Sequence, residues 1–323
     1  MRILVTGAGG FIGSHLAEEL VRQGHAVRAF IHYNSSNYWG WLEESEFKRD
    51  IEVYTGDIRD YDSVKASLEG REAVYHLAAL IGIPYSYVSP IAYIKTNIEG
   101  TYNICQAARE LGVARVIQTS TSEVYGTARY VPINEEHPLQ AQSPYAASKI
   151  AADQLALSFH RSFGLPVVVV RPFNTFGPRQ SARAIIPTII TQVLAGARVI
   201  RLGNLRPTRD FNYVQDTVSG MIAVGLSDQA LGQVVNVGSG REISIGKLVQ
   251  HIEKAIGKDI VVEQEEVRVR PGKSEVERLL CDNRRAYELT GWAPCYTLED
   301  GLMETVEWFK KNLHLYKPRL YNV

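Results

Sequence analysis

Apolar positions along the chain alternate between short continuous runs and stretches at helical spacing, and the alternation starts at once. Ile3-Leu4-Val5 reads as a strand buried on both faces, and Phe11, Ile12, Leu16, Leu20 and Val21 then mark one face of a helix that Gly24 stops. Further strands are predicted over residues 26–31, 51–55, 73–77, 114–118 and 167–170, with helical stretches between them, the longest over 94–111 and 144–163. Parallel neighbours need a crossover helix, so this rhythm predicts an α/β fold built on a doubly wound parallel sheet. Beyond residue 170 the rhythm loosens. A helix over 215–226 and a strand over 233–238 return to the first pattern, whereas 244–256 and 298–309 are amphipathic helices. The expected division is a sheet domain of residues 1–170 plus 212–240 and a smaller α/β C-terminal lobe of 171–211 plus 241–323.

Composition narrows the classes. With 323 residues, 45% of them apolar, the chain can bury a large core, and two lobes or one enlarged domain are expected. Lys plus Arg and Asp plus Glu both number 35, which leaves no basic field for nucleic acid or an anionic membrane. Cys105, Cys281 and Cys295 stand far apart without metal-ligand spacing, so reduced, packed thiols and no metal site are expected. Met1-Arg2 runs into the first strand without a signal-peptide layout, and no apolar run is long enough to cross a bilayer. The expectation is a cytoplasmic protein.

Ligands of doubly wound sheets gather at the carboxyl ends of the strands, so those ends hold the candidates. The first strand exits into Thr6-Gly7-Ala8-Gly9-Gly10-Phe11-Ile12-Gly13. Gly7 permits a tight turn, Gly10 lets backbone approach a pyrophosphate, Gly13 lets the helix pack on the sheet, and the helix opening at Phe11 and Ile12 aims its N-terminus at the phosphates. This is a dinucleotide turn in the right place. The second strand ends in Ile31-His32-Tyr33-Asn34-Ser35-Ser36, without the carboxylate that usually accepts from an NAD ribose. His32, Asn34 and the serines lean toward NADP without excluding NAD, and each taken singly reads equally well as a loop polar. The insertion Asn37-Tyr38-Trp39-Gly40-Trp41 has no purpose legible in the sequence. Asp57, followed by Ile58, either accepts from the adenine amine or shapes a turn. In His76-Leu77-Ala78-Ala79 the small residues let backbone lie against a cofactor, and His76 reads as a packed strand histidine. The fifth strand exits into Thr119-Ser120-Thr121-Ser122-Glu123, a run of hydroxyls that ends in a carboxylate where substrate should lie.

Downstream, Ser143 and Pro144 open a helix that carries Tyr145 and Lys149 one turn apart on one face. An ammonium beside a phenol favours the phenolate, so the pair can take a proton from an alcohol nearer neutral pH than a lone tyrosine. YxxxK alone is also a chance spacing on a solvated face. It gains meaning from the glycine turn before it.

Taken together, GxxGxxG at Gly7 to Gly13, STSEVYG at Ser120 to Gly126, YxxxK, RPFNTFGPR at Arg171 to Arg179 and RDFNYVQD at Arg209 to Asp216 resemble the extended short-chain dehydrogenase/reductases. Within them the chain resembles the sugar-nucleotide epimerases and dehydratases, and in PYSYVSP, PTRDFNYV and KSEVERLLCDN the NDP-N-acetylglucosamine 4,6-dehydratases of legionaminic-acid-type pathways. The resemblance implies a Rossmann fold, bound NAD(P)+ and a nucleotide-sugar substrate. Tyr145 would take the proton of the sugar 4-hydroxyl, Lys149 would hold the nicotinamide ribose, Thr121 would bond the 4-oxygen and Glu123 would remove the C5 proton. Asn174, Pro187, Arg209 and Arg270 would hold the substrate, although either arginine also reads as a surface ion-pair partner. Ser122 stands where glucose-type dehydratases carry an acidic Asp, and Ser-Glu also occurs in UDP-glucuronate decarboxylases. That activity, a 4-epimerase, and a non-catalytic dinucleotide sensor are the alternatives. A homodimer through the helices near 94–111 and 144–163 is expected.

Overall fold

The computed structural model describes residues 1–320. In chain order its strands are β1 (Arg2–Thr6), β2 (Ala26–His32), β3 (Ile51–Gly56), β4 (Ala73–His76), β5 (Arg115–Thr119), β6 (Val167–Pro172), β7 (Asn174–Phe176), β8 (Val199–Leu202), β9 (Thr208–Tyr213), β10 (Val234–Val237), β11 (Glu242–Ser244) and β12 (Val261–Gln264). Seven of them form one parallel sheet in the order β10-β6-β5-β4-β1-β2-β3. The chain runs outward from β1 to β3 and then returns past β1 to β4. That reversal opens a crevice at the carboxyl ends of β1 and β4.

Helices on both faces explain why β4 and β6 are buried at every residue. On one face Leu4, Phe30 and Val116 pack against Val64, Ile104, Ala156 and Leu157 of helices Tyr61–Leu68, Gly100–Glu110 and Pro144–Phe163. On the other, Ile3, Val5 and Tyr75 meet Leu16 of helix Phe11–Arg22 and Val218 of helix Val214–Leu226. This second core continues without a break into Ile189, Leu248, Leu302 and Phe309, which lie on later helices. A three-stranded sheet β11-β9-β7 and the pair β12-β8 complete that side.

The stretch expected as one helix over 94–111 is built differently. Helices Ile83–Val88 and Pro90–Tyr93 lead into a π-helical turn, Ile94–Glu99, before helix Gly100–Glu110. At the wide turn Asn97 is buried, donates to Leu80 O and Ser148 Oγ, and accepts from Leu80 N. The extra residue in that turn therefore fixes the loop after β4 to the helix that carries Tyr145. Cys105 and Cys281 are buried thiols, and burial raises both pKa values. Cys295 departs from the expectation of packing: its thiol is exposed, while its backbone N–H donates to the buried Asp216 carboxylate at 2.9 Å. Among the described residues no helix is long and apolar enough to cross a membrane.

His76 ends β4 fully enclosed, bonded to Thr6 Oγ1 at 2.8 Å and Thr101 Oγ1 at 3.3 Å. Burial first, and the Lys149 charge second, lower its pKa to about 3. The native state thus keeps it neutral where the unfolded chain, with an ordinary imidazole near pH ~6.5, takes up a proton. Its contribution to stability is complete above that pH and is lost as pH falls from about 6.5 toward 3. His76→Gln is expected to lower the slope of unfolding free energy against pH by about 1.4 kcal/mol per pH unit near pH 5, one proton's worth. Urea titrations at pH 7, 6 and 5 measure it, and equal slopes in the two proteins would contradict a neutral His76.

Candidate active site

A cavity of about 1280 Å³ lies over the crevice. It exceeds the usual volume for one small ligand, so it has room for two. Its floor is the glycine turn. Gly7 has φ +70°, and a Cβ there would lie 2.9 Å from Ala78 N, while one on Gly13 would lie 2.2 Å from Gly7 O. Gly10, the N-cap of helix Phe11–Arg22, offers no side chain to its first amides, so those donors stay available to an anion. Gly10, Phe11, Ile12 and Gly13 all face the cavity. Thr6 Oγ1 accepts from Leu77 N and Ala78 N at 3.1 Å, which holds Leu77, Ala78 and Ala79 along the opposite wall. This cradle fits a dinucleotide, with Tyr145 and Lys149 at its far end.

The insertion after β2 is docked on the glycine turn. Trp41 N donates to Gly9 O at 3.0 Å, and a Cβ on Gly9 would sit 2.7 Å from Trp39 O. Trp41 then packs edge-on against Trp308 of the C-terminal helix. Two of the expected ribose readers are placed otherwise. Asn34 lines the cavity, yet its amide is used by its own turn: Oδ1 accepts from Ser36 Oγ and Tyr38 N, and Nδ2 donates to Tyr38 O. Ser35 points to solvent outside the cavity, because that turn directs Ser36 inward in its place. His32, Asp57, Ile58 and Arg59 line the same end of the cavity. The Arg59 side chain grips Asp57, and its hydrogen bonds lower the Asp57 pKa.

Ser143 Oγ accepts from Ala146 N at 3.1 Å and caps helix Pro144–Phe163, whose first turns carry Tyr145 and Lys149 inward. Both are enclosed. Burial raises the Tyr145 pKa, a Thr121 hydrogen bond opposes that, and the Glu123 charge adds to it. Burial lowers Lys149 to about 8, against the pull of Asp153. The ammonium donates to Thr119 O at 2.7 Å. The spacing argument, that Lys149 lowers the phenol, therefore does not describe this arrangement: desolvation governs Tyr145, and Lys149 is turned to a backbone carbonyl. Thr121 Oγ1 accepts from Glu123 N at 3.2 Å and opens the short turn Ser122–Tyr125. Thr121, Ser122 and Glu123 all face the cavity, Ser122 and Glu123 almost wholly enclosed.

On the substrate side Asn174 faces the cavity with its Oδ1 buried and unbonded. Arg209 and Arg270 face it too, but Glu275 draws on both, at 3.2 and 3.7 Å. Pro187 does not line the cavity. It packs into the core in the first turn of helix Ile185–Leu194, where Ile185 and Ile186 take the cavity side. Behind the wall lies a network that sequence reasoning missed. Arg171 Nη2 meets Asp153 Oδ2 at 3.0 Å, Ser120 Oγ donates to the same oxygen at 2.6 Å, and Arg171 Nη1 donates to Tyr125 OH. Asp153 was findable, since 145, 149 and 153 share one helix face. Arg171 and Glu275 carry no such signal.

A dinucleotide cradle opening onto an enclosed tyrosine and lysine one helical turn apart defines an NAD(P)-dependent enzyme of the extended short-chain dehydrogenase/reductase class. The GDP-mannose 4,6-dehydratase family model matches residues 4–305, and the chain belongs to this family of NAD-dependent sugar-nucleotide epimerases and dehydratases. It is 36% identical to a dTDP-glucose 4,6-dehydratase of Streptomyces griseus, over 98% of this chain and 96% of that one. It is 34% identical to a UDP-N-acetyl-alpha-D-glucosaminuronate decarboxylase of Bacillus cytotoxicus, over 96% and 98%. The crystal structure of DesIV, a dTDP-glucose 4,6-dehydratase from Streptomyces venezuelae with NAD bound, superposes with a TM-score of 0.88 at 30% identity, over 98% and 99% of the two chains.

Proposed function

We propose that the protein is an NDP-sugar 4,6-dehydratase that converts an NDP-N-acetylglucosamine to a 4-keto-6-deoxy sugar nucleotide. The observation that carries the reading is Glu123, an enclosed carboxylate in the same cavity wall as Thr121 and Tyr145. A 4-epimerase moves a proton at the 4-oxygen alone and has no task for a second base. Tyr145 takes the proton of the sugar 4-hydroxyl, Thr121 holds that oxygen, and Lys149 holds the nicotinamide ribose. Bound NAD(P)+ would supply a reversible hydride acceptor, taking the hydride from C4 and returning it to C6 after water has left, while a proton goes back to C5, so that the product is a 4-keto-6-deoxy sugar and the cofactor ends each turnover oxidised. The ketone acidifies C5, and Glu123 removes that proton. Ser122 is a weak acid, so protonated Glu123 delivers the proton to the departing 6-hydroxyl. The N-acetylglucosamine assignment follows the PYSYVSP and KSEVERLLCDN runs.

A second reading, decarboxylation of an NDP-hexuronate, is favoured by the Ser122-Glu123 pair and by the decarboxylase relative. Mass spectra of products from a panel of NDP-sugars separate the two, since one reaction loses water and the other carbon dioxide. Carbon dioxide from an NDP-hexuronate, with NDP-hexosamines untouched, would overturn the first reading.

Two finer statements belong to this proposal. No carboxylate follows β2, and His32, Ser36 and Arg59 line that end of the cavity, where a 2′-phosphate would compete with Asp57 for Arg59 and with Asn34 for Ser36. NAD+ and NADP+ are expected to bind within a hundredfold of each other. Fluorescence titration of cofactor-free protein measures this, and a larger preference for NAD+ contradicts it. The protein is also expected to be a cytoplasmic homodimer through helices Gly100–Glu110 and Pro144–Phe163, because Ile94, Tyr102 and Phe163 leave about half their surface exposed on adjoining outer faces. Sedimentation that shows only monomer at micromolar concentration rules the dimer out.

A further inference from the structure

The turn that carries Glu123, the helix that carries Tyr145 and the segment that carries Glu275 are joined by one side chain. Gln142 stands just before Ser143, the cap of helix Pro144–Phe163, and is half-buried. Its Oε1 accepts from Thr127 N at 2.5 Å, immediately after the turn Ser122–Tyr125 closes at Gly126. Gly126 has φ +64°, and a Cβ there would lie 2.7 Å from that oxygen, so a larger residue would push the amide away. On its other side Gln142 Nε2 donates to Lys273 O at 3.0 Å and to Glu275 O at 3.2 Å. Both ends of the amide are spent on main chain. The backbone of the same residue adds a further tie, since Ser274 Oγ donates to Gln142 O at 2.6 Å and meets Tyr87 OH at 2.6 Å. A hydroxyl has one proton and Ser274 gives it to Gln142, so Tyr87 is the donor to Ser274. The PYSYVSP and KSEVERLLCDN runs, which lie far apart in the chain, thus meet beside the start of the Tyr145 helix.

The place of Glu275 decides where two arginines stand, because its Oε1 meets Arg209 Nη2 at 3.2 Å and Arg270 Nη1 at 3.7 Å. The segment that presents it has only the three-residue turn Gly272–Ser274 as structure of its own. So short a turn does not hold itself in place, and Gln142 and Ser274 hold it from outside. We propose that Gln142 is a positioning residue of the substrate site: it fixes the main chain at 273–275, and through Glu275 the two arginines, at a set distance from the Glu123 turn and the Tyr145 helix. The phosphates and the reacting carbons of a nucleotide sugar are a fixed number of bonds apart, so the groups that grip and the groups that react must be spaced to match. This inference rests on the reading of the ligand as a nucleotide sugar and is independent of which reaction follows.

Titration calorimetry on the full chain tests it, with UDP, GDP, CDP and dTDP as probes on protein saturated with NAD+, and with NAD+ itself on cofactor-free protein. For the diphosphate that binds best, Gln142→Met is expected to weaken binding roughly 5- to 20-fold, the scale of one or two lost hydrogen bonds. NAD+ should change less than about twofold, since its cradle shares none of these bonds. The same substitution made on Glu275→Gln should cost the diphosphate less than about twofold, because the ion pairs through which Gln142 acts are already gone. Ser274→Ala loosens the same segment without touching the Gln142 amide and keeps the test open if Gln142→Met folds poorly; it should weaken the diphosphate about two- to fivefold. A diphosphate affinity unmoved by either variant overturns the proposal. So does equal weakening with and without the Glu275 carboxylate, or a parallel loss of NAD+ affinity, either of which would make Gln142 a general support of the fold. A wild type that binds none of the four diphosphates removes the nucleotide-sugar reading and this inference with it, whereas one that binds them while Gln142→Met is silent removes this inference alone.

Discussion

Glu123→Gln is expected to lower turnover by ~10²–10⁴-fold, the usual contribution of a positioned general base. The substitution is close to isosteric and removes the proton acceptor while leaving the Glu123 backbone N–H on Thr121 Oγ1. Tyr145, Thr121 and Lys149 keep their places, so nucleotide-sugar affinity should change little and the loss should fall on kcat. Solvent exchange isolates the step. In heavy water the wild type should place deuterium at C5 of the product, since the proton taken from C5 leaves with the 6-hydroxyl as water and the one that returns to C5 is drawn from solvent. The variant should lose C5 exchange in parallel with turnover. A variant that turns over at the wild-type rate removes Glu123 from the chemistry, and with it the dehydratase assignment.

Arg171→Met should cost about 3–5 kcal/mol of stability, because it strands the Asp153 carboxylate in a site with almost no exposure. Ser120 would remain as one donor to Asp153, and Tyr125 OH, which also donates to Asn236 Oδ1 at 2.8 Å, would lose Arg171 as a donor. Urea midpoints measure the loss. Adding Asp153→Leu should recover most of it, since replacing both partners of a buried pair leaves no unpaired charge. Recovery of stability should not restore the pH profile. Asp153 lies one turn beyond Lys149 and supports its charged form against burial, and the balance of the two leaves Lys149 at about 8. Without Asp153 the ammonium loses its proton at lower pH, so the alkaline fall in activity should move below its wild-type position. A double variant as unstable as Arg171→Met, or one with an unmoved alkaline limb, contradicts this account of the pair.

Local spacing determined much of this protein by itself. A continuous apolar run followed by a glycine turn and a helical stripe can satisfy its backbone and bury its apolar face in few ways, so β1, its turn and helix Phe11–Arg22 were legible from residues 2–22. The β-α alternation gave the parallel sheet for the same reason, and four-residue spacing placed Tyr145 and Lys149 on one face. What spacing cannot supply is the identity of a partner from elsewhere in the chain. The sequence offered Asn34 and Ser35 as ribose readers, but a turn closed by Asn34's own amide spends one and turns the other outward. It offered Lys149 as the group that lowers Tyr145, yet the competition between burial and charge is decided by the packing around them and by Thr119 O. The aromatic insertion acquired a role only when Trp41 met Gly9 and Trp308, more than thirty and more than two hundred and fifty residues away in the chain. Glu275 and Arg171 entered in the same way. Desolvation and charge pairing depend on distances through space, which are set when remote segments pack together, so the folded chain alone decided which arginines are spent.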